Sequence, residues 1–224
     1  MESFDDRTRS DASIDSSFDE KGLSEGTKKR MLDLLSVRYV LDRSENASSE
    51  RIFPPQNYHI VRTYQDWTVF ENLNAAPRAF IAQNIYKADS ITDVNTLLFS
   101  NTFDTKTSAI VPSDISIAPF QQASGTASFI TFEPERVAVK TNANSNAIFV
   151  LTDTYDPDWK ASIDGYAADI FPVNFTFRGV RIPIGTHFVT FEYRPQSVQT
   201  GTLISELSLL FTVGLLFVLS KRKT

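Results

Sequence analysis

Cysteine is absent from the 224-residue sequence, which excludes a disulfide framework, a thiolate nucleophile and a cysteine-based zinc site. Histidine occurs only at His59 and His187. Neither stands in a nucleophile-elbow or metal-spacing context, so a Ser-His-Asp triad or a His-based zinc site lacks its parts. The eight glycines are dispersed, and no Gly-rich loop is present to cradle a phosphate. Basic residues are in deficit, with 22 Lys and Arg against 27 Asp and Glu, and they form no stripe, which argues against a nucleic-acid partner. The N-terminal stretch MESFDDRTRSDASIDSSFDEKG lacks the basic n-region and apolar h-region of a signal peptide.

What the chain does have is a 42% apolar composition, enough to bury a core, and one long apolar run at its end. Residues 201–220, GTLISELSLLFTVGLLFVLS, would span as a helix about the 30 Å of a bilayer core at about 1.5 Å per residue. Its leucines, isoleucine, valines and phenylalanines outweigh the single Glu206, which sits near one end of the run. Lys221, Arg222 and Lys223 follow at once, whereas Pro195 to Thr200 carry no charge. The positive-inside rule therefore places the C-terminus, residues 221–224, in the cytoplasm and the bulk of the chain outside it. With no signal peptide visible, that orientation calls for translocation by upstream membrane helices of a longer polytopic protein. The other arrangement is a tail anchor with the large domain inside, against the charge rule.

Residues 1–23 are rich in Ser and Asp and poor in apolar side chains, which predicts a flexible linker. Ser24 predicts an N-cap for a helix over Gly26 to Ser36, and Val37 to Leu41 reads as a strand. Strands then dominate: Tyr58–Thr63, Trp67–Glu71, Ala79–Gln83, Ser128–Phe132, Arg136–Thr141, Ala147–Asp153, Trp159–Ile163, Phe175–Ile182 and His187–Tyr193, with a helical turn near Asp93 to Ser100. In HFVTFEY, Val189, Phe191 and Tyr193 alternate with Phe188, Thr190 and Glu192, as in a strand covered on one side. Asp164-Gly165 is the strongest hairpin signal, because a type I′ turn wants positive φ at both central residues. The fold class expected is mainly β with minor α: a β-sandwich-like extracytoplasmic domain, a short N-terminal helix and one C-terminal transmembrane helix. The divisions drawn are 24–125 for an N-terminal α+β subdomain, 126–198 for the sandwich and 201–220 for the span.

The stretch TYDPDWKASIDG, residues 154–165, poses the functional question. Asp153, Asp156 and Asp158 suit neither an EF-hand loop, which needs alternating oxygens, a Gly and a distal Glu, nor a glycosidase pair that straddles a sugar. Pro157 between two of them suits a turn. Trp159 and Tyr155 are the candidate glycan contacts, since aromatic faces stack on sugar rings, yet alternating aromatics more often serve a core. No catalytic residue, cofactor site or metal ligand is assigned.

The blocks KKRMLDLLSVRYVL, WTVFENLNAAPRAFIA and FVLTDTYDPDWKASIDGYAADIFPVNFTFRGVRIPIGTHFVTFEYRP, followed by the terminal apolar span, resemble in order the C-terminal part of the bacterial YfhO-family membrane proteins. The resemblance runs from about Lys28 to the end. It implies an extracytoplasmic domain of a polytopic protein related to GT-C glycosyltransferases, which use lipid-linked sugars to modify cell-envelope polymers. The catalytic acidic residues of such enzymes lie among N-terminal membrane helices that have no counterpart in this sequence, so none is carried over. Family members tend toward Tyr-Tyr-Pro-Gly-Trp-Lys where this chain has Tyr155, Asp156, Pro157, Asp158, Trp159 and Lys160. Only Tyr155, Pro157, Trp159 and Lys160 match. With Asp164 and Gly165 these make a structural motif of strand, turn and hairpin, not an acidic cluster. The partners implied are the membrane, upstream helices of the full-length protein, and a cell-envelope glycan or lipid-linked sugar. The alternative reading is a non-enzymatic, membrane-anchored carbohydrate-binding or adhesion module.

Overall fold

A computed structural model describes residues 24–43, 53–116 and 123–221. The expected linker 1–23 and the last three residues of the basic tail lie outside the described residues. Two compact units divide the chain: Met1–Arg78 with Thr92–Lys106, and Ala79–Ile91 with Thr107–Thr224. The chain is mainly β, as the alternation predicts.

The first unit holds helix α1 (Glu25–Leu34), strands β1 (Tyr39–Arg43), β2 (Tyr58–Tyr64) and β3 (Trp67–Asn72), and nearly all of helix α2 (Ile91–Leu98). Ser24 caps α1 as expected, its hydroxyl accepting from the Thr27 N–H at 3.2 Å. The helix ends two residues earlier than predicted. Ser36 turns left-handed at φ 58°, and the Ser36 and Val37 N–H groups donate back to the Asp33 and Leu32 carbonyls. Asn72, buried at the end of β3, donates to Asp33 Oδ1 at 2.8 Å and to the Val37 carbonyl, tying helix to sheet. Burial pushes the Asp33 carboxyl above its ordinary value, against the opposing hydrogen bond from Asn72. The sheet runs β1-β3-β2, all antiparallel, over a core of Val40, Phe53, Tyr58 and Phe70.

In the second unit the run AIFVL forms the centre of strand β9 (Ala147–Thr154), and both faces of that strand are covered. Ala147, Phe149 and Leu151 point into one core, and Ile148 and Val150 into another. That is why its sequence is continuously apolar instead of alternating. Strand β9 belongs to a four-stranded sheet, β12-β13-β9-β4, built from β4 (Ala79–Ile81), β12 (Ile170–Val173) and β13 (Phe177–Ile182). Facing it is a five-stranded sheet, β11-β10-β14-β8-β7, of β7 (Gly125–Phe132), β8 (Arg136–Ala143), β10 (Trp159–Ile163), β11 (Tyr166–Ala168) and β14 (Gly185–Tyr193). Val137, Val139, Val189 and Phe191 of the larger sheet meet Phe149, Leu151, Val180 and Ile182 of the smaller, with the Phe149 and Phe191 rings 6.2 Å apart. This is a β-sandwich.

The second core carries a third layer that periodicity did not reveal. Strands β5 (Asn84–Ala88) and β6 (Ser108–Pro112) pair in parallel, and Ala109 and Val111 of β6 cover Ile148, Val150, Phe171 and Val173. The sandwich unit therefore starts at Ala79, where the sequence drew its boundary at 125, because β4 pairs with the central strand β9. Two predicted strands start late: β1 begins at Tyr39 instead of Val37, and β13 begins at Phe177, with Phe175 in the preceding turn.

After Tyr193, only Arg194 and Pro195 precede helix α3 (Gln196–Lys221), whose 26 residues make it longer than the predicted span. By length and composition it can cross a membrane. Four of its hydroxyls are satisfied internally: Thr202, Ser205, Ser208 and Thr212 each donate to the carbonyl four residues earlier, at 2.7 to 2.9 Å. Such bonds let polar side chains sit in an apolar helix without stranding a donor in lipid.

Candidate functional site

Strand register gathers four of the six predicted motif residues, Tyr155, Pro157, Trp159 and Lys160, at the root of α3. Trp159 opens β10 opposite Tyr193, the last residue of β14, and Thr154 closes β9 opposite Phe177, the first of β13. The turn Tyr155–Asp158 joins the two sheets there. Asp156 Oδ1 accepts from the Asp158 N–H at 2.8 Å, and the Asp156 carbonyl accepts from the Trp159 N–H at 3.1 Å, an Asx turn that Pro157 makes stiffer. The Asp158 carbonyl accepts from the Arg194 N–H at 3.0 Å, so the turn grips the two-residue connection to the helix. Lys160 Nζ donates to the Pro157 carbonyl at 2.9 Å.

Trp159 is half-buried against the sandwich core, tilted against Tyr193 with ring centroids 5.3 Å apart. Arg178, on β13, lays its guanidinium over the indole 3.9 Å from the ring centroid, and its Nη2 lies 3.1 Å from Asp153 Oδ2. Sequence reasoning missed Arg178, although a signal was there. Within FRGVRI it has the parity of Val180 and Ile182, which face the core between the two sheets. A guanidinium on the apolar parity needs a carboxylate and an aromatic face, and the chain provides both. Asp153 is thus separated in role from Asp156 and Asp158: one neutralises a buried cation while the other two shape a turn. Among the described residues no group of three His, Asp or Glu side chains could hold a metal ion.

Asp164 and Gly165 lie at the opposite end of the sandwich, in the β10–β11 turn, at φ 51° and 86° as the type I′ reading requires. Asp164 does more than turn the chain. Its Oδ1 accepts from the Phe188 N–H at 2.8 Å and its Oδ2 lies 2.6 Å from His187 Nδ1. His187 Nε2 faces the Ile184 carbonyl at 3.1 Å. Both ring nitrogens therefore meet acceptors, an arrangement that suits the imidazolium, and the hydrogen bond that His187 donates to Asp164 raises the His187 pKa above its ordinary value while that of Asp164 falls. A raised histidine pKa stabilises the fold below the unfolded value and is lost as pH climbs through the folded one. A lowered aspartate pKa stabilises above the unfolded value and is lost as pH falls through the folded one. Stability from this pair is expected to plateau between roughly pH 4 and 6.5 and to decline on both sides. Denaturant melts across pH should show His187→Gln flattening the alkaline limb, and an unchanged limb would refute the assignment.

A β-sandwich joined through two residues to a helix able to cross a bilayer defines a membrane-associated sandwich protein. Residues 116–205 match the family described as bacterial membrane protein YfhO, which supports a YfhO-family membrane protein. The matched segment runs from before β7 through β14 and into α3. Neither curated proteins nor solved structures yield a match.

Proposed function

We propose that this chain is the accessory, extracytoplasmic C-terminal portion of a YfhO-like polytopic protein, whose role is in lipid-linked-sugar-dependent glycosylation of cell-envelope polymers. In this reading the sandwich supports or orients the acceptor, and the catalytic part lies elsewhere in the full-length protein. The observation that carries it is that the YfhO-matching segment passes without a break from the sandwich into the apolar helix. Sidedness rests on Lys221, Arg222 and Lys223 beyond the helix and on the uncharged stretch Pro195 to Thr200 before it. In intact cells making the full-length protein, external protease should digest the sandwich while a tag after Thr224 survives. A protected sandwich would reverse the orientation.

A second reading, a carbohydrate-binding module, draws on the half-exposed aromatic group of Trp159, Tyr155 and Tyr193. Arg178 occupies one face of the indole, leaving a sugar at most the other. Trp159→Ala is expected to cost about 2 to 3 kcal/mol, less than a fully buried tryptophan because the ring is only partly covered. A melt matching the parent together with lost glycan capture would favour the sugar platform over the packing role.

A further inference from the structure

The end of the sandwich nearest α3 carries an apolar residue that packing does not explain. The three-residue turn Asn174–Thr176 joins β12 to β13, and both Asn174 and Phe175 have positive φ, at 50° and 79°. Asn174 has a structural reason: it is buried, its Oδ1 accepts from the Ile110 N–H at 2.7 Å, and its own N–H donates to the Ile110 carbonyl at 2.9 Å. Phe175 has none. A bulky side chain in this region is strained, yet the ring stands 59% exposed at the tip of the turn.

Register fixes which end this is. The Tyr155 N–H donates to the Thr176 carbonyl at 2.6 Å, Thr154 pairs with Phe177, and the next turn is gripped by Arg194 at the start of the helix connection. Phe132, also exposed, closes β7 opposite Val137 at the same end. The strongly apolar part of α3 starts at Leu203, so the polar first turns, Gln196 to Thr202, account for about 10 Å of helix. A headgroup layer is about 5 to 7 Å thick on each side of the hydrocarbon. The connection is thus too short to hold this end far from lipid.

We propose that the α3-proximal end of the sandwich docks on the bilayer surface from which the helix enters, with Phe175 inserted among the headgroups and Phe132 meeting them from the β7 edge of the same end. The contact is apolar in origin. Glu133, Glu135, Asp156, Asp158 and Glu192 outnumber Arg136, Lys160 and Arg194 around it, so anionic lipid would not attract this end. The inference rests on α3 spanning the membrane, and the test separates the two.

The chain has no cysteine, so single-cysteine variants carry one label each. The full chain would be reconstituted in phosphatidylcholine vesicles with an environment-sensitive fluorophore at Phe175→Cys, at Ile184→Cys in the β13–β14 turn, or at Leu210→Cys in the helix. Ile184 is itself 62% exposed and lies the length of β14 away, about 30 Å. Nitroxide on lipid near the headgroup should quench the Phe175 label several-fold more than the Ile184 label, and nitroxide deep in the acyl chain should quench the Leu210 label. Phe132→Cys gives the same readout should the labelled Phe175 variant not fold. Equal quenching at Phe175 and Ile184 with a quenched Leu210 overturns the docking and leaves the span standing. An unquenched Leu210 label overturns both.

Discussion

Asp153→Ala is expected to destabilise the sandwich by about 3 to 5 kcal/mol, enough to unfold a domain of ordinary stability. The carboxylate lies 3.1 Å from an Arg178 side chain that is only 4% exposed, and the loss would leave a guanidinium inside the apolar end of the core with its main counter-charge gone. The geometry around it is built for the pair. Register slips between Phe177 and Arg178, so that Phe177 faces Thr154 while Arg178 faces Leu151, and Thr152 and Asp153 bulge between them. That bulge brings Asp153 up to the arginine, with Trp159 at 3.9 Å and the Phe191 ring at 5.4 Å. Replacing both members, Arg178→Leu with Asp153→Leu, should recover much of the loss, because an apolar pair of similar volume needs no compensation. Urea melts of Asp153→Leu, of Arg178→Leu and of the double variant form the cycle, with Asp153→Ala measured beside them. If Asp153→Ala melts with the parent, the ion pair has no part in holding this end of the sandwich.

Much of this architecture was legible because local chemistry and tertiary role agree. HFVTFEY alternates and its Val189 and Phe191 are buried; WKASI starts and ends where its apolar pattern does; Asp164-Gly165 turns with the required positive φ values. The illegible parts are those in which a residue's partner is remote or its environment two-sided. NIYKA and SAIVP are short and unremarkable alone, and their parallel pairing needs a connection that contains another element, so no hairpin signal links them. Phe175 reads as the first residue of an aromatic strand because nothing in VNFTF says that Asn174 will bind Ile110 and force a turn. Arg178 stands on the inward parity of its strand, but its counter-charge Asp153 is brought to it only by the bulge in β9. His187 reads as a surface group at a strand start until the turn across from it closes on its ring. In each case the missing information is a contact made by residues more than 20 positions apart.

Gly179→Ala is expected to cost about 3 kcal/mol, at the upper end of the range for overpacking, although it adds a single methyl group. Gly179 lies mid-strand in β13 opposite Phe171 of β12, beneath the second core of the sandwich. A Cβ placed there would come within 2.3 Å of Val173 Cγ2 and 2.9 Å of the Phe171 ring, closer than real contacts allow. Neither neighbour can step aside at low cost. Val173 is fully buried and β-branched, with χ1 freedom already restricted, and Phe171 is packed between β13 and the third layer. The glycine is therefore a packing requirement and not a turn requirement. Its weaker strand propensity is offset by the aromatic ring that lies over it, filling the space a side chain would take. A companion change separates the two contributions. Gly179→Ala with Val173→Ala removes the closest atom, so the double variant should lose less than the sum of its parts, with a coupling of about 1 kcal/mol or more. Additive losses would mean that the strands shift as a body instead, and that the clash at Val173 is not what makes glycine necessary.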